Sequence, residues 1–113
     1  MTNIDCMIET SILSTVLFAH HQYTDEAFFN NYELQEEWFS IHFHKLIVKT
    51  INNNRAIGLP LSEEYIAEQL LNNNIMNRDL WLKIIEANPF GKANFDTYLE
   101  QLKKPNQNII QGL

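Results

Sequence analysis

Apolar residues recur along this chain at the three-and-four spacing of α-helices, and no stretch alternates with the period of two that a half-buried strand requires. Ile8, Ile12, Leu13, Val16 and Leu17 form one stripe, which predicts a first helix from about Asp5, its cap, to Ala19. Thr24 to Asn30 fits a short second helix, capped by Thr24, with Asp25 and Glu26 at the positive end of its dipole and Phe28 and Phe29 entering the core. A long third helix from Glu33 or Leu34 to Asn54 carries Phe39, Phe43, Leu46, Ile47 and Ile51, with Trp38, Ile41 and Val48 on another side. Apolar on more than one face, it is expected to be central, with Leu46, Ile47 and Ile51 deeply buried.

Gly58 ends that helix in a left-handed conformation, Pro60 forbids its continuation, and Ser62 caps the next. The fourth helix, to about Asn72, shows Ile66, Ala67, Leu70 and Leu71, and the fifth, Asn77 to Ala87, shows Leu80, Trp81, Ile84 and Ile85. A sixth begins at an Asn94 cap and sets Phe95, Tyr98, Leu99 and Leu102 on one face before Pro105. The triplets Asn52 to Asn54 and Asn72 to Asn74 read as helix ends. Together these elements predict an all-α, compact orthogonal bundle of about six helices over residues 1–104, followed by a flexible Asn- and Gln-rich tail at 105–113.

A chain of 113 residues with 45% apolar content fits one domain with its own core. The single Cys6 offers no internal disulfide and suits a reducing compartment. The start, MTNIDCMIE, lacks the basic and apolar regions of a signal peptide, and no apolar run approaches the roughly 20 residues of a membrane span. The expectation is a cytoplasmic protein without membrane contact. A net charge of −6 with eight scattered basic residues disfavours direct nucleic-acid binding.

Candidate chemistry is sparse. His42 and His44, two apart on a helix, point about 200° away from each other and cannot share a metal ion. His20 and His21 suit the negative end of a helix dipole. Glu36, Glu37, Glu63, Glu64 and Glu68 read as solvated charge, and Asp79 with Lys83 and Glu100 with Lys104 as surface pairs. The chain has no Walker-type phosphate loop, nucleophile elbow or Cys-His cluster, so no catalytic, cofactor or metal residue is expected and no ATPase resides here.

The order His44-Lys45-Leu46-Ile47, then Gly58-x-Pro60-Leu61-Ser62, then Ile66-Ala67-Glu68-x-Leu70 resembles the N-terminal domain of DnaB-type replicative DNA helicases, which reads H-R-L-I-F through G-x-P-I-D to L-A-E-E-L. Upstream, Ile8 to Leu13 is similar to that family's first helix and Asp25 to Phe29 to its D-F-Y segment. Downstream, Glu86-Ala87-Asn88-Pro89 and Asn94 to Tyr98 resemble its A-x-P and N-I-x-x-Y elements. The chain differs in carrying extra residues between Phe29 and His44 and in replacing a glycine-rich turn by Asn72 to Asn77.

The resemblance implies an interaction and oligomerisation domain that contributes to a hexamer's collar and contacts a primase or helicase loader. Its partners would be a second copy, in a weak dimer or within the hexamer, and those replication proteins. ATP and magnesium would belong only to a motor domain absent from this chain. Leu13, His44, Leu46, Ile47, Gly58, Pro60, Leu70, Pro89, Asn94 and Tyr98 are then structural positions, and Trp38, Ile41 and Val48 a candidate partner surface. The alternatives are a small helical enzyme or metal-binding protein whose acidic and histidine residues converge on folding, and the helicase-binding domain of a primase.

Overall fold

The computed structural model describes residues 3–22, 33–87 and 92–103, which form five α-helices, one 3-10 turn and no strand. The helices are α1 (Asn3–Gln22), α2 (His42–Ile57), α3 (Glu63–Asn72), α4 (Arg78–Glu86) and α5 (Lys92–Leu102), with the turn at Glu36–Trp38 ahead of α2. The expected helix at Thr24 to Asn30, with Phe28 and Phe29, lies outside the described residues, as do Pro89 and the tail. No helix among the described residues is long and apolar enough to cross a membrane.

α1 occupies the centre, a place the residue pattern assigned to the third helix. Every residue from Ile12 to Leu17 is buried, Ser14 and Thr15 included, and the helix packs against α2, α4 and α5. Two hydroxyls make this all-round burial tolerable, because each satisfies itself on backbone: Thr15 donates to the Ser11 carbonyl at 2.9 Å and Ser14 to the Ala87 carbonyl at 3.1 Å. The second bond also fixes where α4 ends. Asp5 is no cap, since the helix already starts at Asn3.

The long third helix is two pieces. Phe39 and Ile41 adopt extended backbone, so the chain forms the 3-10 turn, straightens, and starts α2 only at His42. Phe39 and Leu34 still reach the core, from loop rather than helix. At the other end, α2 runs past Asn52 to Asn54. The Asn52 amide donates to the Leu34 carbonyl at 2.9 Å, and buried Asn54 exchanges two hydrogen bonds with Gln69 at 2.6 and 3.1 Å, joining α2 to α3. Amides with partners elsewhere do not compete with the helix backbone.

Gly58 has φ 79° and stops α2 with its amide on the Asn54 carbonyl, as its position predicts. A β-carbon there would meet nothing within 4 Å, leaving only the left-handed backbone to oppose it. Gly58→Ala is therefore expected to cost about 1 kcal/mol in thermal or denaturant unfolding. A loss well above 3 kcal/mol would mean that the residue does more than turn the chain.

Ser62 accepts from the Tyr65 amide at 3.4 Å, so the expected cap forms, and Asn77, expected as the first residue of its helix, instead caps α4 by accepting from the Leu80 amide at 3.1 Å. α5 begins at Lys92, which puts Asn94 inside the first turn rather than before it. Asp79 and Lys83 do not pair. Glu100 instead meets Lys103 at 3.6 Å, and the Lys103 ammonium also lies 4.9 Å from the ring centre of Trp38.

Candidate functional site

Two features stand out among the described residues: a buried polar junction and an apolar groove. The junction forms where α2 starts without a local cap. Ile41, at the cap position, has no side-chain oxygen to offer, and its extended backbone aims amides away from the helix. Glu9, on the core-facing side of α1, fills the need from a distant part of the chain. Its carboxylate accepts from the Ser40 amide at 2.9 Å, the Ser40 hydroxyl at 2.7 Å, the Ile41 amide at 3.4 Å and His44 Nδ1 at 2.8 Å. An ionised carboxylate has no proton to give, so Nδ1 carries the hydrogen.

Glu9 is 1% exposed and His44 wholly buried, with Phe39 edge-on to the imidazole at 6.5 Å. Burial pushes the Glu9 carboxyl up, but the hydrogen bonds from His44 and from the Ser40 hydroxyl and amide, with the charge of His44, outweigh it and hold the group below its ordinary range. A negative charge at the start of α2 also suits the helix dipole.

Serine, histidine and carboxylate in one cluster invite comparison with a nucleophilic triad, and the connectivity excludes it. The hydroxyl bonds the carboxylate rather than the imidazole, so among the described residues no imidazole faces the hydroxyl as a triad requires. His44 Nε2, the nitrogen such a base would use, is buried with no hydrogen-bond partner among the described residues. The junction ties α1 to the extended segment and to the start of α2. His42 is exposed while His44 is buried, the opposed orientation their spacing predicts.

The groove lies between α3 and α4. Ala67 and Leu71 form one wall, Arg78, Trp81 and Leu82 the other, and Met76 the end, around a volume of about 210 Å³. Leu71 is 46% and Leu82 52% exposed, whereas Ile66, Leu70 and Ile84 behind them are buried. Both helices carry wider apolar faces than the core absorbs. The surplus thus falls on the fourth and fifth predicted helices rather than the third. Val48 is fully buried, and Trp38 and Ile41 pack half-buried against the core from outside any α-helix, so these three form no shared partner surface.

A second depression, lined by Cys6, Met7, Thr10, Ser11, Lys83 and Ala87, lies where α1 approaches α4. The Cys6 sulfur sits 3.9 Å from the Thr10 hydroxyl, one turn along the same helix.

Of the residues matched to the helicase pattern, Leu13, His44, Ile47 and Leu70 are buried, Gly58 turns the chain, and the Pro60 carbonyl accepts from Asn54 at 3.1 Å. Leu46 and Tyr98 are half-buried. The hydrophobic pattern does not single out Glu9. Its signal was a carboxylate three and four residues ahead of Ile12 and Leu13, on the apolar side of a helix. Comparison with family models, with characterised proteins and with solved structures returns no match.

Proposed function

We propose that this chain is a protein-protein interaction domain of the kind found at the N-terminus of DnaB-type replicative helicases, acting in collar assembly and in contacts with a primase or helicase loader. The observation that carries the interaction reading is the open apolar groove between α3 and α4, edged by two half-exposed leucines. Exposed apolar surface arranged as a trough is what a partner covers. The helicase assignment rests on the ordered residue pattern from Ile8 to Tyr98. On this reading the protein works in the cytoplasm, and ATP and magnesium serve the motor that follows such a domain in that family.

Sedimentation equilibrium over about a hundredfold concentration range, paired with titration of the cognate primase C-terminal domain and loader, tests the reading. A weak, concentration-dependent dimer or saturable binding of either partner is expected. A strict monomer at the highest concentration that binds neither partner would remove the reading's support.

A further inference from the structure

The groove's shape and charge identify the class of partner that fits it. Ala67 and Leu71 are four residues apart on α3, and Arg78, Trp81 and Leu82 are three and four apart on α4, so each wall is a helical ridge. Two ridges with a trough between them accept the apolar row of a third helix. The turn joining the walls, where Asn74 takes φ 59° and the Ile75 amide bonds the Leu70 carbonyl at 3.0 Å, brings Met76 to one end of the trough.

Arg78 is the only charged residue in the lining, is exposed, and has no ion-pair partner among the described residues. The acidic residues Glu64 and Glu68 line a different depression, with Pro60, Ser62 and Tyr65. The overall charge of −6 opposes an acidic ligand at long range. At physiological salt that repulsion is screened beyond about 8 Å, and the nearby guanidinium decides.

A second copy fits less well. Two grooves meeting about a two-fold axis would place Arg78 on both sides of one contact. Nor does another described element offer an apolar row: the remaining exposed large apolar residues, Met7, Ile57 and Ile85, stand on three separate helices. Resting on the interaction-domain reading, we infer that the α3–α4 groove binds an amphipathic helix of another protein, with its leucine-like row in the trough and a carboxylate paired with Arg78.

The probe is a synthetic amphipathic peptide of about 18 residues, roughly five helical turns, with leucines at i, i+3, i+4 and i+7 flanked by glutamates, beside a twin whose glutamates are lysines. Anisotropy of the labelled peptides at physiological salt should show the glutamate form binding about fivefold tighter or better. Arg78→Glu should reverse that order. Leu82→Lys, at an exposed site, should abolish binding with circular dichroism and melting unchanged.

Equal affinity for the two peptides, or binding indifferent to Leu82→Lys, would overturn the inference. So would a dimer that Leu82→Lys dissolves, which would give the groove to a second copy. If neither peptide binds while the primase or loader does, this inference falls and the interaction-domain reading stands. If those partners fail too and the chain is strictly monomeric, both fall.

Discussion

Glu9→Ala is expected to destabilise this protein by about 3 to 5 kcal/mol, because each buried donor left without its acceptor costs roughly 1 to 3 kcal/mol. The substitution deletes a side chain that is 1% exposed and leaves His44 Nδ1, the Ser40 amide and hydroxyl, and the Ile41 amide without their acceptor. Glu9→Gln should fail in much the same way. Its amide keeps one acceptor oxygen but turns an N–H group toward donors on the other side. Denaturant unfolding at neutral pH would measure both, and losses below about 1 kcal/mol would show that water replaces the carboxylate cheaply.

The same group predicts an acid sensitivity whose sign follows from its depressed pKa. Because the folded carboxyl binds its proton less readily than the unfolded one, its contribution is fully present above the ordinary value of 4.5 and is lost as pH falls through the lower folded value. Wild-type stability should therefore decline below about pH 4.5, and Glu9→Ala should show a flatter profile across that window.

Helix type and punctuation were legible because their causes are local. Ser62 and Asn77 reach amides three residues ahead, and Gly58 needs only its own φ. Three misreadings share a cause, which is that the deciding partner is far along the chain. Glu9 takes the amides of Ser40 and Ile41, so Phe39 to Ile41 extend where their spacing suggests helix. Gln69 takes the amide of Asn54, so a residue resembling a helix end stays inside α2. Ser14 and Thr15 find carbonyls, so α1 is buried on faces that look polar. The groove was half legible: Ala67, Leu71 and Trp81 belong to the apolar stripes of their helices, but Leu82 falls outside them, and only packing shows that the core leaves Leu71 and Leu82 exposed.

That distinction sets up the second large effect, at two neighbouring residues with the same expected burial. Ile47 is wholly buried in the cluster with Ile12, Leu13, Ile51 and Ile66, whereas Leu46 is only partly covered. Ile47→Ala removes methylene groups whose space the surrounding helices cannot refill without moving, and should cost about 2 to 5 kcal/mol. At Leu46 the truncated side chain leaves a surface notch that water enters, so the cavity contribution largely vanishes and the loss should stay near 1 kcal/mol. Parallel urea titrations of the two variants with unchanged m-values would make the comparison direct. Equal losses would mean that α2 is rotated about its axis relative to this packing, so that Leu46 faces the core as its spacing alone predicts.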